Sequence, residues 1–170
     1  RLPVWTIIAV VAPLAPGHGA VASGLPIGGD DYDPGFVIDL FGNTGAFDYV
    51  NCGHNPPLLL RAGGACDLLP GGGPALGMWG AAEFAAGAAT LEPGDVLVLY
   101  TDGVVEVTSG DDNQFGVERL EAVVRTHRHR PARDVLHEVI AATRAFSGRP
   151  AFEDDFTLVL VRRTPAGAGP

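Results

Sequence analysis

Solid apolar runs and runs of helical spacing alternate with Gly- and Pro-rich breaks along the chain, and together they predict a mixed α+β domain. The strongest run is Asp95–Tyr100 (DVLVLY), which follows the Pro93-Gly94 turn. Both of its alternating sets of positions are apolar at the centre, so it predicts a strand covered on both faces. Phe156–Val161 (FTLVLV) predicts a closing strand. Phe36–Leu40 and Ala46–Asn51 flank Gly42-Asn43-Thr44-Gly45 and predict a hairpin. Leu58–Arg61 predicts a short strand after the Pro56-Pro57 break. Val117, Leu120, Val123 and Val124 recur at helical spacing, and Pro131 ends that helix. Ala132–Phe146 predicts a second helix with Val135, Val139, Ile140 and Thr143 on one face. Gly17–Pro34 and Gly63–Gly80 read as loops, Ala81–Leu91 fits neither period, and 164–170 reads as a flexible tail. The arrangement is mainly antiparallel strands with two consecutive helices before the last strand.

The first residues need separate treatment. Leu2–Ala15 (LPVWTIIAVVAPLA) is apolar but broken by Pro3 and Pro13, and it falls short of the ~20 residues a spanning helix needs. It reads as the end of a buried strand or helix, or as the stub of a longer apolar region. With Arg1 ahead and Ala20-Val21-Ala22 behind, it also imitates a signal peptide. Residues 1–27 are therefore treated as a leader of uncertain role, ahead of a domain spanning 28–163.

Composition narrows the function classes. Of 170 residues, 20 are acidic and 11 basic, for a net charge of −9, and every fixed cation is an arginine. So acidic a surface argues against binding nucleic acid, which needs a positive stripe, and against docking on anionic lipid. It permits clustered carboxylates that collect divalent cations. Cys52 and Cys66 form no C-x-x-C pair, so neither a zinc knuckle nor a redox motif is indicated. Two reduced thiols in a cytoplasmic protein are expected.

The informative chemistry is carboxylates at strand ends. Asp102 follows the Val96–Tyr100 run, and Asp154-Asp155 immediately precede Phe156–Val161. If the two strands are antiparallel neighbours, the end of one meets the start of the other. Carboxylates that meet there repel one another unless a hard cation such as Mg²⁺, Mn²⁺ or Ca²⁺ sits between them. Gly103 would let the chain turn at once and aim Asp102 at a site. The alternative is that Asp102 and Asp154 merely cap turns. Asp30, Asp31 and Asp33, behind Gly28-Gly29, form either a metal loop or a solvated acidic loop. Asp111-Asp112-Asn113 reads as solvated loop, and His127, His129 and His137 read as solvated. Asn51-Cys52-Gly53-His54 pairs a thiol with an imidazole in sequence, but a catalytic base normally approaches from another segment. That stretch reads as a tight turn in which Asn51 and His54 hold backbone groups. Tyr100-Thr101-Asp102-Gly103-Val104 half matches a dehalogenase-type D-x-D-G-[TV] motif, but Tyr100 stands where the nucleophilic aspartate belongs.

Several segments in order resemble the metal-dependent protein phosphatases of the protein phosphatase 2C-like (PPM) family, in its bacterial SpoIIE-type branch. They are Tyr49–Pro57 (YVNCGHNPP), Pro74–Met78 (PALGM), Leu91–Asp95 (LEPGD) through Leu97–Glu106 (LVLYTDGVVE), Phe115-Gly116, and Asp154–Thr157 (DDFT). Gly28–Asp33 (GGDDYD) matches the family's G-G-D-x-Y-D loop. The resemblance implies a β-sandwich flanked by helices with a two-metal centre between the sheets. It implies hydrolysis of phosphoserine or phosphothreonine by metal-activated water, with Mg²⁺ or Mn²⁺ as cofactor. Asp102 and Asp154 match family metal ligands, Asp155 lies beside the second, and Asp30 and Asp33 would complete the set. Gly103, His54 and Asn51 fall in its supporting turns. The family's D-V-x-G-H-G segment has no counterpart after Asp33, and Gly17-His18-Gly19 comes before the loop. The fold implied is therefore a sandwich lacking some amino-terminal strands and a helix. The implied partner is a phosphorylated bacterial regulator such as an anti-sigma-factor antagonist, in the cytoplasm, with an upstream sensor or membrane tether outside this sequence. A second class stays open beside the enzyme: a catalytically impaired, phosphatase-like binding or regulatory module.

Overall fold

A computed structural model describes residues 5–12, 35–40, 45–75, 78, 79, 81–152, 154 and 156–164. Among the described residues, eight strands and three helices follow one another as β1 (Trp5–Ala12), β2 (Gly35–Leu40), β3 (Ala46–Cys52), β4 (Leu58–Leu60), β5 (Cys66–Leu68), β6 (Gly87–Thr90), β7 (Val96–Tyr100), α1 (Asp102–Val105), α2 (Gly116–His127), α3 (Ala132–Ser147) and β8 (Phe156–Arg163). The strands form a five-stranded sheet of order β1-β8-β7-β4-β5 and a three-stranded sheet of order β2-β3-β6. Every paired strand in both sheets is antiparallel.

The two-sided apolar pattern of the central strands has a direct structural cause. Leu58 and Leu60 of β4, Val96, Val98 and Tyr100 of β7, and Phe156, Leu158 and Leu160 of β8 pack with Leu120 and Val124 of α2 and Val135, Leu136 and Val139 of α3. The intervening residues Leu59, Leu97 and Val161 pack instead with Phe47 and Tyr49 of β3 and with Leu69 and Leu91. Side chains of a strand alternate between faces. The five-stranded sheet is thus covered by helices on one face and by the smaller sheet on the other, which is the expected sandwich flanked by helices.

The hairpin of β2 and β3 lies as its turn signals predict, with Leu40 opposite Phe47. Trp5–Ala12, one of whose readings was a buried strand, pairs along its whole length with β8, from Trp5 opposite Arg163 to Ala12 opposite Phe156. One expectation is corrected: the Gly63–Gly80 stretch is not all loop, because Cys66–Leu68 pairs with the free edge of β4. The ambiguous Ala81–Leu91 stretch contains β6, whose residues Gly87–Thr90 pair with β3. The chain leaves β7 after Tyr100, and Gly103 lies buried within the helical turn α1 that follows. Asp102 favours that turn by accepting the Gly103 N–H on Oδ1 at 2.9 Å.

One buried carboxylate ties two connections together. Asp95 is 2% exposed. It closes the Glu92–Asp95 turn, where its N–H donates to the Glu92 carbonyl at 2.9 Å and Gly94 holds φ +93°, the positive value that a Pro-Gly turn of type II requires. Its Oδ1 accepts the Ala62 N–H at 2.8 Å, and its Oδ2 accepts the Glu92 N–H at 3.0 Å and Arg61 Nη1 at 3.0 Å. Arg61 also donates to Asp67 and to the Thr90 carbonyl. The β4–β5 and β6–β7 connections are thereby fixed to each other.

Replacing Asp95 by Ala strands two backbone N–H groups and a guanidinium, so we expect Asp95→Ala to lower the unfolding free energy by ~3 kcal/mol. Urea denaturation measures it, with the midpoint falling and the slope unchanged. Arg61→Ala is expected to cost less, because it leaves Asp95 with both backbone donors. Equal and negligible losses would show that this lock contributes nothing.

Candidate functional site

The site is built where β7 ends and β8 begins. The register places Tyr100 opposite Leu158 as the last paired rung. Beyond it, the Thr101 N–H donates to the Thr157 carbonyl at 3.1 Å, and the Thr157 N–H donates to Thr101 Oγ1 at 3.0 Å. A threonine hydroxyl so replaces the backbone acceptor that the ladder would next supply, which frees the chain to enter α1. Asp102 opens α1 directly after Thr101, and Asp154 lies shortly before β8. Both therefore leave the five-stranded sheet at one edge, and both are exposed.

A small cleft runs along this edge. It measures about 130 Å³, and its lining includes Gly103, Glu106, Thr108, Arg149, Phe152 and Asp154. Glu106 lies one helical turn beyond Asp102, which puts the two on the same side of α1. Among the described residues, no group of three or more His, Cys, Asp or Glu side chains gathers closely enough to hold a metal ion. Asp30, Asp33 and Asp155, the other expected ligands, lie outside the described residues, as do Gly17-His18-Gly19 and the 165–170 tail.

The Asn51–Pro57 turn stands at the same end of the sheet. Leu58 is opposite Val98, and the Tyr100 hydroxyl donates to the Pro56 carbonyl at 3.0 Å. Burial, with Cys66 and Glu118 nearby, pushes the Tyr100 hydroxyl up to about 12, so it keeps the proton it donates. Asn51 is fully buried. Its Oδ1 accepts the His54 N–H at 2.8 Å, and its Nδ2 donates to the His54 carbonyl at 3.0 Å. His54 Nδ1 lies 2.9 Å from the Asn55 carbonyl. A carbonyl can only accept, so Nδ1 carries a proton and donates it to that carbonyl. This is a turn in which side chains hold backbone groups, as the sequence suggests.

Neither thiol is set up as a nucleophile. Burial raises the Cys52 thiol above its ordinary value. Burial, assisted by Glu121, pushes Cys66 up to about 11. Both are free cysteines, and protonated thiols attack poorly. His129 and His137 are exposed, and His127 is half-buried 3.9 Å from Glu138. Asp111, Asp112 and Asn113 are exposed.

The residues that sequence reasoning missed are Glu106, Thr108, Arg149 and Phe152. The spacing of Glu106 from Asp102 on one helical turn could have flagged it. So could an arginine standing shortly before Asp154 in a chain with a net charge of −9.

Comparison with known proteins sets this edge in context. A chain segment is 37% identical over 84 residues to Protein IcfG of Synechocystis, covering 49% of this chain and 13% of that protein. Another is 28% identical over 114 residues to the phosphoserine phosphatase RsbP of Bacillus subtilis, covering 67% of this chain and 27% of that one. The chain thus spans only a minor part of the length of these curated relatives. The fold is shared with the manganese-presoaked phosphatase domain of the cell fate determinant SpoIIE from Bacillus subtilis, at a TM-score of 0.62 and 14% identity, over 80% of this chain and 58% of that one. The sequence model of stage II sporulation protein E matches residues 34–164, most of the chain and all of the edge described above, and the protein belongs to the SpoIIE family.

Proposed function

We propose that this chain is a metal-dependent protein serine/threonine phosphatase domain acting on phosphoserine or phosphothreonine of a bacterial signalling protein, with Mg²⁺ or Mn²⁺ as cofactor. The observation that carries this reading is the Thr101–Thr157 pairing, which sets Asp102 and Asp154 at one sheet edge within a segment that matches a family containing phosphatase domains. The donor set suits the cofactor, because exposed carboxylate oxygens are hard ligands that favour Mg²⁺ and Mn²⁺ over softer metals. Asp102 and Asp154 would hold the cation, with Asp30, Asp33 and Asp155 proposed to complete its shell. When bound, such a cation supplies positive charge that activates water and offsets charge on the phosphoryl oxygens. The chain's own contribution is placement. Thr101 fixes the start of α1 against β8, and the Asn51 turn braces the adjoining connection through Tyr100 and Pro56. A relative described as a phosphoserine phosphatase supports the choice of phosphoserine. The substrate we propose is a phosphorylated regulator of the anti-sigma-factor antagonist kind.

A cation that binds only the folded chain stabilises it by ~2.7 kcal/mol at a hundredfold excess over its dissociation constant. We therefore expect saturating Mn²⁺ to raise Tm by roughly 5–10 °C. Asp102→Asn and Asp154→Asn should each lose most of that rise. A Tm indifferent to Mn²⁺ would contradict the shared site.

The activity itself is read as phosphate released from a phosphoserine peptide. It should require Mn²⁺ or Mg²⁺ and stop with a chelator. Each Asn variant should lower kcat/KM by about a hundredfold or more, on the order of 2.7 kcal/mol of transition-state stabilisation. Turnover that persists with a chelator, or in both variants, would overturn the mechanism.

Thr101→Val keeps the shape of the side chain but removes the acceptor of the Thr157 N–H. We expect it to weaken Mn²⁺ binding about tenfold, a change on the order of 1.4 kcal/mol, measured by calorimetric titration. An unchanged affinity would show that the hydroxyl does not position the pair.

A further inference from the structure

The cleft beside Asp154 has a feature that the metal reading does not use. Arg149 is the one cation among the described residues that line it, and Glu106 and Asp154 line the same space. At about 130 Å³, the cleft has room for about four water-sized groups of ~30 Å³ each. That suits one phosphoryl group and part of the side chain carrying it, and it excludes a folded segment. Its walls match such a group. Thr108 and Ser147 carry hydroxyls, Arg149 carries the charge, and Val107, Ala151 and Phe152 are apolar.

The segment bearing Arg149 is held at both ends. Gly148 closes α3 in the left-handed conformation, with φ +67° and its N–H donating to the Arg144 carbonyl. The Arg149 N–H donates to Ser147 Oγ at 3.1 Å, and that hydroxyl donates to the Arg144 carbonyl at 3.2 Å. At the far end, the Phe152 ring stacks on Phe156 with centroids 4.1 Å apart, and the Arg144 guanidinium lies 5.3 Å from the Phe152 centroid. Arg149 is itself exposed, and its backbone has a fixed place.

We propose that this cleft is the phosphomonoester subsite of the domain, in which the Arg149 guanidinium grips the non-transferring oxygens of a protein-borne phosphate. The proposal rests on the phosphatase reading. A guanidinium presents paired N–H groups that match two phosphate oxygens, which an ammonium cannot do. Glu106 and Asp154 repel a phosphate dianion, so Arg149 alone does not suffice. Affinity for phosphate appears only when a divalent cation offsets the carboxylates, and substrate recognition is thereby tied to metal loading.

The test uses the whole chain and a fluorescein-labelled phosphoserine peptide, read by anisotropy with and without Mn²⁺ and in competition with inorganic phosphate. Phosphopeptide binding should require Mn²⁺, should fail for the unphosphorylated peptide, and should be displaced by inorganic phosphate. Arg149→Ala should weaken it about tenfold or more, while the chain stays folded and the affinity for Mn²⁺ stays as in the parent chain. Arg149→Lys should fall between the two. If the parent chain binds and hydrolyses the phosphopeptide in a Mn²⁺-dependent manner and Arg149→Ala binds it equally well, the subsite is overturned and the phosphatase reading survives. A parent chain that binds no phosphopeptide and releases no phosphate at any Mn²⁺ concentration overturns both. Full recovery of binding in Arg149→Lys would reduce the role of Arg149 to simple charge and contradict the paired contact.

Discussion

Thr101 and Thr157 bridge the last rung between β7 and β8, one through its N–H and hydroxyl, the other through its carbonyl and N–H. The geometry of the candidate site depends on this contact. An antiparallel pair brings the end of one strand to the start of the next, and here each of those points carries an aspartate. Were β7 shifted by one residue against β8, Asp102 would move along the edge and every side chain of β7 would change face. The register is therefore held by the core as well as by the hydrogen bonds, since Val96, Val98 and Tyr100 must stay under the helices while Leu97 faces the smaller sheet.

The surroundings reinforce that edge from two sides. On one, the Asn51 turn is bonded internally and joined to β7 through Tyr100 and Pro56. On the other, the α3–β8 connection is fixed by the Gly148 cap and by the stacking of Phe152 on Phe156. Asp95, at the opposite end of β7, anchors the strand through Ala62, Glu92 and Arg61. Holding a strand firmly at both ends is a common way to place ligands that must approach within a few ångströms of each other.

Much of this was legible before any coordinates. Val96–Tyr100 and Phe156–Val161 announce themselves because strands covered on both faces need apolar residues at nearly every position, a pattern that loops do not imitate. The helices are legible from Leu120 with Val124 and from Val135 with Val139, because only one face is buried. Cys66–Leu68 and Gly87–Thr90 were not, because each is short and exposed or half-exposed along much of its length, and its pairing is dictated by a distant strand instead of its own pattern. Gly103 marks the turn after β7, and the Asp102 carboxylate on the Gly103 N–H favours the helical form that turn takes. Arg149 was passed over because its place in the cleft with Glu106 comes from folding α3 back onto β8.

The central claim is that Asp102 and Asp154 serve one cation. The most direct measurement is paramagnetic broadening of amide resonances in ¹⁵N-labelled protein as Mn²⁺ is added well below one equivalent. The amides of Gly103, Glu106 and Asp154 should broaden together, at the same Mn²⁺ concentrations, and the amide of Ala62 at the other end of β7 should stay sharp. Asp102→Asn should abolish the broadening at Asp154 as well as at Gly103. Broadening at one aspartate that leaves the other untouched, or an Asp154 response that survives Asp102→Asn, would contradict it.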